Sequence, residues 1–398
     1  MKTLTIISTG SIKEVHGANY VLNNLIKGSV LFKDIKLRAI YSSSEDFILT
    51  SGATLPIGDG MGTPSYNRIR RVRSFFREIL SSRYALGAYI KEYLNFRIKA
   101  HKVAMKIKQN CINDDILLFQ DVYSAYFYFK EVNFENVKTA MIIHQEDDSM
   151  SQLFLSFPYF SKPDKRQHFF KMRDFVYSKL DALIYISEKA RLNSIALEDK
   201  RRMIYNGIPA IHREFISECG NRESINLVCV GSMSGRKGQE LIIEALSMLP
   251  KNTLHKLKLF LVGDGGERQN LERLTLELGI ADTVIFTGVR NDIEMLLINM
   301  DVFVMPSLSE GLSISSLEAL RAGLFLLMTD TGGNCEVMGD DCGLVVKRSP
   351  ADISKKIEHI INAGIITTEQ KDRSRKRFEK YFSIETMASE YDKILSQL

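Results

Sequence analysis

Cysteine is scarce in this chain and tryptophan is absent. The five cysteines are odd in number, and none of them forms the C-x-x-C spacing that zinc sites and redox motifs use. This pattern argues against a disulfide framework and a zinc site, and it is typical of a protein from a reducing compartment. Cys229 lies within an apolar run, where we expect a packed thiol rather than a reactive one.

Long apolar runs are also missing. No run approaches the roughly 20 residues that span a bilayer, and residues 1–7 are too few for the apolar core of a secretory signal. We therefore predict a buried first strand at the N-terminus and a cytoplasmic protein. The chain has 398 residues, 45% of them hydrophobic and 25% charged, which suits two folded domains of about 200 residues each.

Short apolar runs alternate with segments of helical periodicity, the pattern of α/β domains with parallel sheets. The strands predicted in the first half are Leu4–Ser8, Leu37–Tyr41, Ile116–Phe119, Ala140–Ile143, Ala182–Ile186 and Met203–Tyr205. Those predicted in the second half are Leu227–Val230, Leu259–Val262, Val284–Phe286, Val302–Met305, Phe325–Met328 and Gly343–Val346. A turn signal at Asn206-Gly207-Ile208-Pro209 separates the two series.

One segment joins a strand end, a glycine and a helix start. Glu310-Gly311-Leu312-Ser313-Ile314-Ser315-Ser316-Leu317-Glu318 follows a predicted strand, and a helix should begin near Ser313. Free N–H groups and the dipole at a helix N-terminus favour a diphosphate, while carboxylates accept hydrogen bonds from sugar hydroxyls. The alternative reading makes Glu310 a solvated loop charge and Glu318 an ordinary helix residue.

This segment resembles the E-x7-E motif of family 4 glycosyltransferases, and the resemblance covers nearly the whole chain. It implies the α/β GT-B fold, in which two Rossmann-like domains face each other across a cleft and a C-terminal helix crosses back to the first. The implied domains are an acceptor-side domain at 1–207 plus 382–398 and a nucleotide-sugar donor domain at 208–381. Glu310 is then expected to contact the donor sugar, and Glu318 the nucleotide ribose. The amides expected to hold sugar and phosphate are those of Gly311, Leu312, Ser313 and Ile314.

A second match is the glycine-rich stretch 230–238, which contains Arg236 and Lys237. Many family members have Gly-Arg where this chain has Gly231-Ser232, whereas the Arg236-Lys237 pair is similar to that of lipopolysaccharide-core glucosyltransferases. Two cations can neutralise a leaving diphosphate. The alternative is a pair of solvated loop cations.

His144 stands at the end of a predicted strand, at the sheet edge that faces the ligand in open α/β folds. It matches the family's strand-end histidine, which contacts the donor sugar near the reacting carbon. A lone histidine is more often structural, so the position carries this interpretation rather than the residue type.

Other loops after predicted strands complete the expected donor pocket. Gly17 and Ala18 stand where family members usually carry a double glycine near the phosphate. Gly263 lies on a glycine-rich loop, and Val289 with Arg290 lies where the family places the nucleobase. Such loops also form as ordinary turns, which is the competing explanation.

The sequence shows neither a metal-ligand cluster nor a D-x-D pair, so we expect metal-independent transfer without a cofactor, with a UDP-linked sugar favoured as co-substrate. The resemblance implies retention at the anomeric carbon of a hexose. The composition and the basic residues at 66–110 favour a glycan or polyprenyl-diphosphate-linked acceptor in bacterial surface-glycan synthesis. Two alternatives remain on the same fold: a sugar-nucleotide epimerase and a non-catalytic partner subunit.

Positive charge is concentrated in residues 66–110, which hold 12 lysines and arginines and two acids. Four of these cations, Arg68, Arg70, Arg71 and Arg73, lie beside aromatic residues, as in a helix that rests on an anionic membrane. We therefore expect a peripheral protein on the inner face of the cell membrane. A merely solvated face is the alternative. Nucleic-acid binding is not expected, because no recognised reading motif is present.

Overall fold

The computed structural model describes residues 1–9, 18–41, 46–48, 85–110, 112, 114–146, 149–211 and 224–398. Two compact units divide the chain. The first comprises Met1–Ile186, Arg191–Ile204 and Ala388–Leu398, and the second comprises Ser187–Ala190 and Tyr205–Met387. Each unit has its own sheet. The domain boundaries at 207 and 381 stay a prediction.

A seven-stranded sheet forms the centre of the first unit, with the order β3-β2-β1-β4-β5-β6-β7. Its strands are β1 (Lys2–Ile7), β2 (Ile35–Tyr41), β3 (Asp46–Ile48), β4 (Ile116–Phe119), β5 (Lys138–Ile143), β6 (Ala182–Tyr185) and β7 (Arg201–Met203). All neighbours are parallel except β2 and β3. Every residue of β4 and β6 is buried, as parallel strands covered on both faces require.

Two features of this sheet differ from the prediction. The antiparallel edge strand β3 was not expected, because three residues carry too little periodicity to be recognised. The last strand was predicted at 203–205 and lies instead at Arg201–Met203, so that prediction was wrong by two residues. The reason is its edge position, where polar Arg201 and Arg202 pair with β6 and the apolar pattern does not mark the strand.

The helices of the first unit are α1 (Ala18–Gly28), α2 (Ala85–Glu92), α3 (Ile98–Gln109), α4 (Val122–Glu131), α5 (Ser151–Ser156) and α6 (Pro163–Lys179); α7 (Glu188–Leu192) begins in the second unit. Short 3₁₀ turns lie at Ser29–Leu31, Pro158–Ser161 and Glu198–Lys200. A π-helical turn, Tyr93–Arg97, joins α2 to α3. These two helices therefore form one continuous rod over 85–109.

The second unit has a six-stranded, wholly parallel sheet in the order β10-β9-β8-β11-β12-β13. Its strands are β8 (Ile225–Val230), β9 (Leu257–Val262), β10 (Val284–Gly288), β11 (Val302–Met305), β12 (Phe325–Met328) and β13 (Gly343–Val345). All six overlap the predicted runs. Cys229 packs within the core of this sheet, as expected, and burial raises the pKa of its thiol to about 12.

Helices alternate with the strands of the second sheet and continue along the chain after β13. They are α8 (Gln239–Ser247), α9 (Lys251–Leu254), α10 (Arg268–Glu277), α11 (Ile293–Leu297), α12 (Ile314–Ala322), α13 (Asn334–Met338), α14 (Pro350–Asn362), α15 (Thr368–Tyr381) and α16 (Ile384–Ser396), with a 3₁₀ turn at Ala281–Thr283. Over the described ranges, no helix combines the length and the apolar character needed to cross a membrane.

Helix α16 starts in the second unit and ends in the first. Its Asp392 is buried and accepts hydrogen bonds from the backbone N–H groups of Lys33, Asp34 and Ile35, at 2.8 to 3.2 Å. Lys2 Nζ donates to the carbonyl of Ser396 at 2.8 Å. The crossing helix predicted from the GT-B resemblance is therefore present.

Candidate active site

The carboxyl-terminal edge of the second sheet gathers the loops that follow its strands. Loop 231–238 follows β8, loop 306–313 follows β11 and loop 329–333 follows β12. Because β8, β11 and β12 are neighbours in a parallel sheet, these loops meet at one edge. This is the edge at which open α/β sheets bind ligands.

Glu310 forms the centre of this edge together with two cations. One of its oxygens lies 2.8 Å from Lys237 Nζ and 2.9 Å from Arg236 Nη1. The side chains of Glu310 and Lys237 are each only 9% exposed, whereas Arg236 is an exposed residue that also donates to the carbonyl of Ser309 at 2.6 Å. The structure thus brings Glu310 to an adjacent pair of cations more than 70 positions earlier in the sequence, and Lys237 is not a solvated loop cation.

Helix α12 begins beside this cluster, where the sequence predicts a helix start. Ser313 precedes the helix as its N-cap residue, and its hydroxyl lies 3.0 Å from that of Ser315. The N–H groups of Gly311, Leu312, Ser313 and Ile314 donate to no group in the described part of the chain. Free amides next to two cations form an anion-binding environment.

Glu318 lies one turn into α12 and is partly buried. Burial raises the pKa of its carboxyl from 4.5 to about 7, with Arg321 opposing the shift and Glu294 adding to it. Near neutral pH this carboxyl is therefore divided between its protonated and ionised forms. A ligand that donates hydrogen bonds to the carboxylate stabilises its ionised form and lowers its pKa.

Loop 329–333, which follows β12, contacts the Glu310 segment; the sequence interpretation missed this loop. The N–H of Gly333 donates to the carbonyl of Gly311 at 2.7 Å. Gly332 has a φ of +52°, and a Cβ there would lie 2.2 Å from Gly311 O and 2.3 Å from Glu310 O. The signal was visible as a Gly-Gly pair separated by three residues from the end of a predicted strand, because glycine allows a close approach of the backbone.

The predicted loops at the far side of the sheet stand at the same edge. Gly263 follows β9, and its N–H donates to the carbonyl of Gly288 at 2.8 Å. Val289 is exposed, and Arg290 pairs with Asp292, with Nε 2.8 Å from the carboxylate. Within the described residues, neither Val289 nor Arg290 makes a hydrogen bond or ion pair with the cluster around Glu310.

His144 follows β5 in the first unit, as the sequence predicts. Its Nε2 lies 2.9 Å from Oε1 of Gln120, the residue that follows β4. Burial lowers the pKa of His144 to about 4, so the imidazole is neutral at neutral pH. Gln120 was missed, although a polar residue directly after a buried strand is a usable signal. Of the predicted phosphate contacts, Gly17 lies outside the described residues and Ala18 begins α1.

Among the residues that the structure describes, no three histidine, cysteine, aspartate or glutamate side chains gather in a way that would hold a metal ion. Charge at the edge of the second sheet is instead carried by the Arg236, Lys237 and Glu310 cluster.

The second unit, which contains the Glu310 cluster, resembles a known protein family. Residues 214–381 match the family described as Glycosyl transferases group 1. The matched segment, the group 1 domain, makes up most of the second unit. The group 1 domain contains Arg236, Lys237, Glu310 and Glu318, and the predicted resemblance to family 4 glycosyltransferases is confirmed.

Two curated relatives are similar over part of the chain. The lipopolysaccharide glucosyltransferase WaaG of Escherichia coli K12 is 37% identical over 141 residues, covering 35% of this chain and 37% of WaaG. The lipopolysaccharide core biosynthesis glycosyltransferase LpsE of Rhizobium meliloti is 32% identical over 172 residues, covering 43% of this chain and 49% of LpsE. The chain thus spans less than half the length of these two relatives.

The fold extends over the whole chain. The crystal structure of HepE from Anabaena, in complex with UDP, matches 100% of both chains with a TM-score of 0.68 and 18% sequence identity. At that identity the match concerns the fold alone. The predicted α/β GT-B fold class is confirmed.

Proposed function

We propose that this protein transfers a hexose from a UDP-sugar to a hydroxyl group of a lipid-linked or oligosaccharide acceptor in bacterial surface-glycan synthesis. The observation that carries the proposal is the cluster of Glu310, Lys237 and Arg236 beside the free amides of α12. The group 1 domain supports the reaction class, and the lipopolysaccharide relatives support the type of acceptor. HepE was crystallised with UDP, which supports the choice of nucleotide.

The charges at the site favour departure of a nucleoside diphosphate. When the bond between the anomeric carbon and the diphosphate oxygen breaks, negative charge grows on that oxygen. Arg236, Lys237 and the α12 amides stabilise it, because preorganised donors act most strongly where charge develops. We propose no metal ion and no further cofactor, since these groups supply the positive charge.

We propose that the acceptor hydroxyl attacks from the face that the diphosphate leaves, so the anomeric configuration is retained. The new bond joins the acceptor oxygen to the anomeric carbon, and the hydroxyl proton passes to an oxygen of the departing diphosphate. His144 is neutral and therefore suited to hydrogen-bond a sugar hydroxyl rather than to add a second positive charge.

Thermal unfolding with UDP, GDP, UDP-glucose and UDP-N-acetylglucosamine tests the donor half. A ligand that binds only the folded protein raises the melting temperature. At a ligand concentration of about 100 times the dissociation constant, binding adds about 2.7 kcal/mol to the free energy of unfolding. We expect UDP and a UDP-sugar to stabilise the protein and GDP to have little effect. If no uridine nucleotide raises the melting temperature, even at millimolar concentration, the donor assignment is wrong.

Incubation with the stabilising UDP-sugar and candidate acceptors tests the reaction itself, with the product's anomeric proton read by NMR. A retained configuration is expected, and an inverted one would overturn the mechanism. An isomerised UDP-sugar formed without an acceptor would identify the epimerase alternative instead. Binding without any product, over a broad acceptor panel, would favour the non-catalytic subunit.

We also propose that the first unit rests on an anionic membrane through its rod at 85–109. Large apolar side chains on the rod are exposed at a helical spacing, and they are Leu86, Tyr89, Ile90, Tyr93, Leu94 and Ile98. Exposed lysines follow along the same rod at 99, 102 and 108. An apolar stripe bordered by cations is the pattern of an interfacial helix. The four arginines at 68–73 lie outside the described residues.

Flotation with vesicles containing phosphatidylglycerol tests this surface. Replacing Leu86 and Leu94, which are 62% and 53% exposed, by serine should release the protein from the vesicles. The control replaces Leu192 and Leu197, which are 61% and 66% exposed elsewhere in the first unit, and should leave flotation unchanged. Equal flotation of both double variants would contradict the rod as the contact surface.

A further inference from the structure

The first unit contains a cavity of about 160 Å³ at the carboxyl ends of β4 and β5. Its apolar walls include Phe96, Tyr123, Met150 and Leu153, and its polar wall includes Gln120 and Gln145. An engineered cavity of about 150 Å³ in another protein accepts benzene, so this one has room for a group of roughly four to six non-hydrogen atoms.

Two side-chain amides of the polar wall each have one buried atom without a hydrogen-bond partner in the described residues. The Oε1 atom of Gln120 accepts from His144 Nε2, which leaves the Nε2 amide group of Gln120 buried and without a partner in the described residues. The Oε1 atom of Gln145 is likewise buried and without a partner there. Buried polar atoms in folded proteins are nearly always hydrogen-bonded, and leaving one unpaired is costly.

The charged residue on the same wall is already engaged. Asp121 accepts hydrogen bonds from the N–H and hydroxyl of Thr9, both at 3.0 Å, and from the N–H of Ser124 at 2.8 Å. Among the polar side-chain atoms that line the cavity, those that are buried without a partner in the described residues are one amide donor, Nε2 of Gln120, and one amide acceptor, Oε1 of Gln145, and they lie beside an apolar surface. A hydrocarbon group would leave both amides unpaired. A hydroxyl group would leave the apolar wall uncovered.

An acetamido group matches all three features. Its carbonyl accepts from Gln120, its N–H donates to Gln145, and its methyl group covers the apolar wall. It also contains four non-hydrogen atoms with its nitrogen, which suits the volume. We propose that this cavity binds the acetamido group of an N-acetylated sugar. The inference rests on the proposed function for the presence of a sugar ligand at this sheet edge.

The cavity also has a place in that reaction. It is lined by His144, which the resemblance assigns to the donor sugar near the reacting carbon. The acetamido group can therefore belong to the acceptor or to the donor. In either case it selects an N-acetylhexosamine over the corresponding hexose, because the hydroxyl that replaces the acetamido group leaves the apolar wall uncovered.

Two variants and one control address the cavity. Gln145→Leu removes the unpaired acceptor at similar volume, and Leu153→Trp fills the space. Gln167→Leu makes the same chemical change at an exposed position of α6 in the same unit. Circular dichroism and the melting temperature of each variant establish that it folds.

Saturation-transfer NMR with methyl N-acetyl-β-glucosaminide and methyl β-glucoside measures binding of an acceptor-like sugar without any donor. We expect the strongest saturation at the acetyl methyl group and none for the glucoside. Gln145→Leu should weaken binding roughly three- to tenfold, as expected for one hydrogen bond. Leu153→Trp should abolish it, and Gln167→Leu should leave it unchanged.

Titrations with UDP-N-acetylglucosamine and UDP-glucose provide the donor arm. If the donor supplies the acetamido group, Gln145→Leu weakens binding of the first and not of the second. An effect in either arm supports the cavity assignment and names the source. No effect of Gln145→Leu or Leu153→Trp in either arm overturns it.

The two proposals fail in different ways. If UDP stabilises the protein and the cavity variants bind both N-acetylated ligands like the wild type, only the cavity assignment is wrong. If no uridine nucleotide binds while the acetyl methyl group is saturated in a manner that depends on Gln145, the cavity assignment stands and the proposed donor is wrong.

Discussion

Glu310 shares one carboxylate oxygen with Lys237 and Arg236, and Lys237 is as buried as Glu310 itself. A buried lysine without a counterion is strongly disfavoured. Glu310 therefore stabilises the unliganded site, and it also occupies the two cations that a diphosphate would bind. Under the proposed function, donor binding requires the Glu310 carboxylate to exchange its hydrogen-bond partners, from the two cations to sugar hydroxyls.

Glu310→Gln should separate these two roles. Because the cations no longer have a competing carboxylate, we expect UDP, which lacks the sugar, to bind about three- to tenfold more tightly. Transfer from a UDP-sugar should fall at least about 100-fold, since a contact that orients the reacting sugar is lost. Calorimetric titration and initial rates measure the two effects.

Glu277→Gln is the matched control, because Glu277 is an exposed glutamate of α10 in the same unit. It should change neither quantity. The unliganded Glu310→Gln protein should also melt at a lower temperature, because Lys237 loses its buried partner, and UDP should reverse much of that loss. Weaker UDP binding by Glu310→Gln would contradict the competition between carboxylate and diphosphate.

The raised pKa of Glu318 gives donor binding a pH dependence. Burial places this pKa at about 7, so the carboxyl is mostly protonated at pH 6 and mostly ionised at pH 8. If the ionised form accepts hydrogen bonds from the ribose, the affinity for UDP-glucose should fall up to about tenfold as the pH drops from 8 to 6. Glu318→Gln should bind more weakly at pH 8 and show no such dependence. An identical pH profile for both proteins would remove Glu318 from the ribose contact.

The same shift affects stability in the absence of ligand. The folded-state pKa of about 7 exceeds the ordinary value of 4.5, so between these values the folded state holds a proton that the unfolded state has released. The contribution of Glu318 to the free energy of unfolding is full below pH 4.5 and is lost as the pH rises through 7. Ligand binding and folding therefore favour opposite protonation states of one carboxyl.

At the scale of elements, the geometry of the active edge depends on contacts between two loops, the one after β11 and the one after β12. The loop after β12 places Gly332 and Gly333 directly against the carbonyls of Glu310 and Gly311. This contact sets the path of the chain into α12 and hence the direction of its free amides. The glycines have no side chain that a ligand could contact, so we expect their effect to be on the position of the Glu310 loop.

Gly332→Ala should disrupt donor binding through the backbone. Its Cβ would lie 2.2 Å from a carbonyl oxygen, so loop 310–312 must shift. Gly364→Ala is the matched control, because Gly364 has a similar φ of +57° and open space around its Cβ position. Both variants should lose stability from the left-handed backbone, about 1 kcal/mol. Only Gly332→Ala should lose UDP binding, measured by titration; equal binding by both would contradict the positioning role.

The strands and helices could largely be predicted from the sequence, whereas the contacts between residues of different elements could not. Every predicted strand has a counterpart because buried parallel strands are short, continuous apolar runs bounded by turns. The start of α12 near Ser313 was predicted from the glycine-containing loop after a predicted strand and the helical periodicity that follows it. The pairing of Lys237 with Glu310, of His144 with Gln120, and of Gly332 with Gly311 depends on strand order. That order arises from packing across the whole sheet, which local patterns do not encode.

At the scale of the whole molecule, α16 completes the first unit from the far end of the chain. The carboxylate of Asp392 satisfies three consecutive backbone N–H groups at Lys33, Asp34 and Ile35, just where β2 begins. In the described part of the chain, these three N–H groups share the Asp392 carboxylate as their acceptor. The first sheet therefore depends on a residue more than 350 positions away.

Asp392→Ala should weaken the first unit specifically. Loss of a charged acceptor shared by three part-buried amides should cost about 2–4 kcal/mol in the free energy of unfolding. Hydrogen exchange should speed up at 33–35 and along β1 and β2, and the group 1 domain should keep its protection. Ser389→Ala, at an exposed position of the same helix, should leave exchange unchanged. Uniform exchange across both units would contradict a local role.

This arrangement has a consequence for biosynthesis. Residues 384–396 leave the ribosome only after the entire group 1 domain has been made, yet they finish the sheet that begins at residue 2. Domains usually fold in the order in which they are translated. Here the later unit can reach its native state while the earlier one still lacks the carboxylate for its exposed amides. The first half of the nascent chain therefore lacks this acceptor until residue 392 has been translated.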